Sequence, residues 1–179
     1  MERGQIIKEI PGLYRIMAMN VLRRTPGVFF DSVPLDLIPR IDAMDRVIHD
    51  KGARSPGPVD QVAAPWYMHL QQDDNLAVLH GTRRVELYSR DHGQVEVFSV
   101  SANRIEKDGV ALFEGPVMLG WPRRVFHRIV SNEQTGSASI NFAVHYEGFD
   151  IRTNFDIFDL DVETGTARII RHGYLDQPT

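Results

Sequence analysis

The feature that most constrains this chain begins at Pro65. From there short segments of alternating apolar and polar residues are cut by tight turns, at about the 8–12-residue rhythm of a β-sandwich or barrel. Residues 66–70 alternate, with Trp66, Met68 and Leu70 on one face and Tyr67 and His69 on the other. Residues 76–80 follow, then a Gly81-Thr82 turn and residues 85–88. Asp91-His92-Gly93 turns into 95–100, and Lys107-Asp108-Gly109 marks a hairpin between 104–106 and 110–113. Segments 117–119, 125–130, 140–146, 151–160 and 167–170 complete an expected nine to eleven strands. There is no βαβ alternation and no Gly-rich phosphate loop, which argues against a Rossmann-type fold.

The first third obeys a different pattern. Leu35, Ile38, Ile41, Met44, Val47 and Ile48 are spaced by three and four, which predicts one helical face between Pro34 and about residue 50. Ser32 can cap it, Pro39 argues for a break, and Lys51-Gly52 would end it. Residues 52–65, with Gly52, Pro56, Gly57, Pro58 and Pro65, read as a loop. The expected organisation is an N-terminal arm with one short helix over 1–51 and an all-β barrel over 52–179. The arm carries Ile6, Ile7, Leu13, Tyr14, Ile16, Met17, Phe29 and Phe30, apolar surface that must be covered by its own barrel or by a partner subunit. A homodimer is the expected count, twofold symmetry being the commonest closed assembly.

Composition removes several chemistries. The 179 residues include no cysteine, which excludes disulfides, zinc–thiolate sites, iron–sulfur clusters and a cysteine nucleophile. Twenty basic against 24 acidic residues give a net charge of −4, so no nucleic-acid partner is expected. No apolar run approaches the roughly 20 residues of a membrane span. Nothing at the N-terminus reads as a targeting signal, and a cytoplasmic address is expected. No Gly-x-Ser-x-Gly context supports a serine hydrolase. The pairs Arg83-Arg84 and Arg123-Arg124 read as solvated strand ends.

Seven histidines remain: 49, 69, 80, 92, 127, 145 and 172. His69 and His127 each lie inside an expected strand among alternating apolar neighbours. A buried imidazole needs a partner, since leaving it unpaired costs about 1–3 kcal/mol. Ser139, Asn141 and His145 share a small polar face. Asn141 joins the pocket if that face lines the lumen, whereas His145 reads as facing water. Gln71 has the parity of His69, and Gln72 reads as a turn residue.

At these positions the chain resembles the cupin family of small double-stranded β-helix barrels, of jelly-roll type. The family's first motif is His-x-His, three or four residues, Glu, six residues and Gly. Here Tyr67, His69, Asp74 and Gly81 fall at that spacing, with Tyr67 for the first His and Asp74 for Glu. The second motif is matched by Gly115, Pro122, Arg124, His127 and Asn132. Gly115 and Asn132 are one residue off and Arg124 replaces a Gly. The resemblance covers about residues 52–171 and implies a barrel that binds a small molecule. It implies His69, Asp74 and His127 as ligands of a divalent transition metal (iron, manganese, nickel or zinc) serving oxygenase- or isomerase-type chemistry, with Asp73 the alternative carboxylate if the turn is one residue shorter. Tyr67 is then a fourth ligand, a proton donor or a filler. The same superfamily holds metal-free sugar-nucleotide epimerases and isomerases, which would make His69 the base and Tyr67 the acid. It also holds non-catalytic ligand sensors. Fold alone does not choose among these three. The shared motif positions and strand parity of His69 and His127 predict that the two are close neighbours in the lumen.

Overall fold

The computed structural model describes residues 4–178. Two hairpins come first: β1 (Gln5–Ile10) with β2 (Tyr14–Ala18), and β3 (Asn20–Thr25) with β4 (Val28–Ser32). Then come β5 (Ala43–His49) and the short β6 (Arg54–Ser55). The central run is β7 (Trp66–Met68), β8 (Gln72–Tyr88), β9 (Val95–Ser101), β10 (Arg104–Lys107), β11 (Val110–Glu114), β12 (Val117–Trp121), β13 (Phe126–Ser131) and β14 (Ser137–His145). A one-turn helix α1 (Ile151–Asn154), β15 (Ile157–Asp161), β16 (Thr166–Arg171) and a 3-10 turn (Gly173–Asp176) complete it.

β8 organises the molecule. Its first half pairs with β12 and β14, and its second half with β9 and β13, all antiparallel. It is therefore shared by two sheets. One runs β1-β2-β12-β8-β14-β5, and the other β11-β10-β9-β8-β13-β7-β15-β16, with β6 added to β13. Alternation turns Leu76 and Val78 of the first half, and Val85 and Leu87 of the second, into one buried cluster with Phe98, Val100, Ile105 and Leu119. Leu13, Tyr14 and Ile16 join that cluster, so the first hairpin is part of the core. The fold is all-β, as expected.

Three local expectations are corrected. The helix between Pro34 and residue 50 is absent: residues 35–37 form a turn, and 43–49 are β5, paired along β14. Its two faces are mixed for a strand. Asp45 and His49 face the lumen, while Met44 and Ile48 lie exposed on the outer face. Apolar residues on both faces made a 3.6-residue period fit better than a two-residue one. Secondly, Gly81-Thr82 is no turn, because β8 passes straight through it. The close approach of β14 explains the glycine: a Cβ on Gly81 would lie 2.1 Å from the Gly136 carbonyl oxygen. Thirdly, 151–160 is split, its first residues making α1, capped by the Asp150 side chain on the Arg152 amide. Among the described residues no helix is long and apolar enough to cross a membrane.

Candidate functional site

Strand pairing brings the site together. β7 lies against β13 with Tyr67 opposite His127. His69 follows β7 directly, and Asp74 enters from the first half of β8, opposite Trp121. The side chains of His69, Asp74 and His127 are all buried. His69 Nε2 lies 3.3 Å from Asp74 Oδ2, and His127 Nε2 lies 4.0 Å from the same oxygen. The two imidazole rings are 4.7 Å apart, and the three donor atoms fall within 4.8 Å of one another. The expected proximity of His69 and His127 is met.

Each imidazole is oriented from behind. His69 Nδ1 donates to the Asn154 carbonyl and His127 Nδ1 to the Val125 carbonyl, the latter at 3.2 Å. A carbonyl only accepts, so Nδ1 carries hydrogen and both Nε2 atoms face Asp74. The other oxygen of Asp74, Oδ1, accepts from Gln72 Nε2 and Asn141 Nδ2, each at 2.7 Å. Gln72 is fixed in turn, its Oε1 accepting from Asn154 Nδ2 at 3.0 Å and pairing with His145 Nε2 at 3.1 Å.

This arrangement divides charge unequally. Burial alone would lower His69, but the Asp74 carboxylate beside it and the Asn154 carbonyl override burial and raise its pKa. Burial opposes ionisation of Asp74, yet His69 foremost, then His127 and Gln72, hold its carboxyl well below the usual range. Burial, and then the charge of His69, push His127 down to about 4. The pair therefore favours an ionised Asp74 and a more basic His69, while His127 favours its neutral form.

The cluster opens on a cavity of about 130 Å³. Tyr67 lines it, half-buried, with its ring 6.5 Å from that of His69 and 6.0 Å from that of His127. Burial pushes the Tyr67 phenol up, so it keeps its proton at neutral pH. Asp45, His49, Arg83, Trp121, Ser139 and Phe155 also face this space.

Of the ambiguous residues, Asn141 lines the lumen and holds Asp74. His145 stacks on Phe149 at 3.6 Å and touches the site through Gln72. The glutamines exchange their expected roles. Residues 69–71 leave the strand, which resets the alternation, so Gln72 is buried in the lumen and Gln71 pairs with Arg123. Three participants escaped sequence reasoning. Asn154 acts through its backbone carbonyl, which has no residue signature, and Phe155 follows from the end of α1. Arg83, read as a solvated strand end, is only 1% exposed and faces the lumen.

No protein-family model matches the sequence, and no curated protein sequence does. Solved structures resemble it in shape at low identity. A dTDP-4-dehydrorhamnose 3,5-epimerase from Sulfolobus tokodaii superimposes with a TM-score of 0.58 at 16% identity, over 99% of this chain and 88% of its own. The 3,5-epimerase RmlC from Legionella pneumophila, in complex with dTDP-4-keto-L-rhamnose, gives 0.56 at 15% identity, over 80% and 73%. The sugar 3,4-ketoisomerase QdtA from Thermoanaerobacterium thermosaccharolyticum, in complex with TDP, gives 0.53 at 14% identity, over 76% and 82%. The fold is that of a cupin-type barrel. Within it the departures from the cupin motifs become physical. Arg124 stands where the second motif has glycine, and its φ is +68°, in the left-handed region. Asp74 meets His69 because Gln72 and Asn141 hold it from the other side.

Proposed function

We propose that the chain is an isomerase or epimerase of the sugar-nucleotide type, moving a proton at the carbon beside a keto group. The observation that carries this reading is the oriented His69–Asp74 pair, buried in the lumen next to the Tyr67 phenol. A ketone acidifies the neighbouring C–H. His69 in its neutral form takes that proton at Nε2, and the C–H electron pair passes to the carbonyl oxygen as an enolate. Asp74 stabilises the imidazolium that forms. A proton given to the same carbon by Tyr67 from the opposite face inverts that centre. Where that carbon bears a hydroxyl the intermediate is an enediolate: the hydroxyl proton passes to the former carbonyl oxygen, a proton is added at the former carbonyl carbon, and the ketone moves to the neighbouring carbon. A histidine raised above its ordinary value by Asp74 suits a base working near neutral pH. The nucleotide-linked class is supported by the ligands of the structural neighbours, TDP and dTDP-4-keto-L-rhamnose. Proton NMR of dTDP-4-keto-L-rhamnose incubated with the protein tests the reading. Conversion to an isomer is expected, slowed about 10²–10⁴-fold in His69→Asn. Folded wild-type protein that leaves the sugar unchanged contradicts it.

A second reading rests on the same three atoms. Two imidazole Nε2 atoms and one carboxylate oxygen converge, each imidazole is anchored through Nδ1, and the second carboxylate oxygen is held by two amides. That donor set fits a divalent transition metal on His69, Asp74 and His127. Bound there, the ion would act as a Lewis acid towards a carbonyl oxygen. Elemental analysis of protein purified without chelator separates the readings. Close to one metal per chain, lost in His127→Ala, supports the metal. Protein that stays empty with added iron, manganese, nickel and zinc leaves proton transfer by His69 alone.

The proposal extends to assembly as a homodimer. Val21, Leu22, Val28, Phe29 and Phe30 of the β3–β4 hairpin are all 45% exposed or more, and this hairpin forms a sheet of its own. A second copy of the chain is the partner proposed for that surface.

A further inference from the structure

Among the described residues Arg83 is the largest fully buried side chain, and it faces the lumen. Its Nε donates to Ser137 Oγ at 2.8 Å and its Nη2 to the Val47 carbonyl at 3.1 Å. These partners are neutral. Among the described residues no carboxylate pairs with it, and burial is the one influence on its pKa. Of the carboxylates lining this cavity, Asp45 is turned to Asn141 and Asp74 is occupied by His69, Gln72 and Asn141. Burial pushes the guanidinium down to about 10, which leaves it charged at neutral pH. His49 cannot answer that charge. Its Nδ1 is tied to Ser131 Oγ at 2.9 Å, and burial, with Arg83 itself, pushes it down to about 4. A buried cation without a counter-charge is costly to keep. Beside it, Ser139 lines the same space and its buried Oγ has no hydrogen-bond partner at all.

The position of this pair relative to the reacting end follows from β14. Ser137, Ser139 and Asn141 are successive inward positions on that strand. Ser137 holds Arg83, and Asn141 holds Asp74. The two backbone positions are four residues apart, roughly 13 Å at strand rise.

We propose that Arg83 and Ser139 form a carboxylate-binding subsite at the end of the lumen away from the His69–Asp74 pair. The natural substrate is then a keto-sugar that also carries a carboxylate, presented to Arg83 while its reacting carbon lies at His69; dTDP-4-keto-L-rhamnose, which has none, probes the proton transfer alone. The placement of the reacting carbon rests on the proton-transfer reading; the subsite itself does not. A carboxylate fits better than a phosphate on charge and shape. One guanidinium neutralises one negative charge, whereas a phosphate dianion would leave a second charge buried. A planar carboxylate also matches the planar fork of Arg.

Isothermal titration tests this with two acids, pyruvate and D-glucuronate, each against its neutral amide, and with inorganic phosphate. At least one acid is expected to bind about tenfold or more tighter than its amide, in line with a charge-assisted hydrogen bond. Phosphate is expected to bind more weakly than that acid. Arg83→Gln should abolish the difference between acid and amide. Ser139→Ala removes an unpartnered hydroxyl, so it should fold with unchanged or higher Tm while weakening the acid several-fold. It serves if Arg83→Gln fails to fold. Equal binding of acids and amides, no binding of either, or phosphate as the strongest ligand overturns the proposal. His69→Asn run in parallel separates the two claims. It should stop isomerisation of the keto-sugar yet keep the preference for acid over amide.

Discussion

Asp74 sets the charge balance of the site, because its two oxygens face two different kinds of partner. Oδ2 meets the imidazoles, and Oδ1 is fixed by Gln72 and Asn141. Replacing it by Asn removes the main influence that raises His69, leaving burial free to lower it. The acid limb of the kcat/KM profile should then move to lower pH while the maximal rate falls about 10²-fold or more. An acid limb that stays in place would show that Asp74 does not tune His69. His49 makes a separate prediction about stability. Its folded pKa is depressed to about 4, against 6.5 for the free side chain. Between those values the unfolded chain binds the proton and the folded chain refuses it. The stability that His49 contributes is therefore complete above pH 6.5 and is lost as pH falls towards 4. Denaturant midpoints of the wild type at pH 7 and pH 5 should differ more than those of His49→Gln. Equal differences would contradict the assignment.

At the scale of elements, β8 decides what the sequence discloses. Its inward positions are Gln72, Asp74, Leu76 and Val78 in the first half, and Arg83, Val85 and Leu87 in the second. Even numbers become odd because the pairing with β14 slips at Leu79, between the Val78–Ser139 and His80–Ala138 pairs. Leu79 is left 59% exposed, and every later side chain changes face. Strict alternation could not carry Arg83 into the lumen, so it read as a solvated end. His69, Asp74 and His127 were legible for the opposite reason: their spacing is fixed by the turn after β7 and by the pairing of β13, and it survives as a motif. β5 was illegible because both its faces are mixed: Asp45 and His49 alternate inward with Ala43 and Val47, while Met44 and Ile48 flank Arg46 on the exposed side, so no two-residue apolar period shows. Gly81, just beyond the slip, closely approaches Gly136, which immediately precedes β14. Gly81→Ala places a Cβ against the Gly136 carbonyl in a left-handed backbone, with φ of +71°. Equilibrium unfolding should show a loss of about 3 kcal/mol or more, at the severe end of single substitutions. A loss under 1 kcal/mol would mean that β14 can retreat.

At the scale of the molecule, the N-terminal segment divides into two parts with different consequences. Leu13, Tyr14, Ile16 and Met17 of the first hairpin are 1% exposed or less, and each such burial is worth about 1.5–3 kcal/mol. Deleting that hairpin should prevent folding. The β3–β4 hairpin contributes exposed Phe29 and Phe30 instead, so Phe29→Glu with Phe30→Glu should leave circular dichroism unchanged. By light scattering at micromolar concentration, the wild type should have the mass of two chains and the double variant that of one. A wild type with the mass of one chain contradicts the dimer. The barrel that these parts complete is proposed to do one thing: move a proton at a carbon next to a ketone, with His69 as the base. The most direct measurement is deuterium incorporation. Chelator-treated protein is incubated in D₂O with dTDP-4-keto-L-rhamnose, and the sugar is read by mass spectrometry and proton NMR. The account predicts deuterium at the carbons flanking the ketone, well above the enzyme-free rate, and about 10²–10⁴-fold slower exchange in His69→Asn. Exchange no faster than without protein, or equal in His69→Asn, would contradict it.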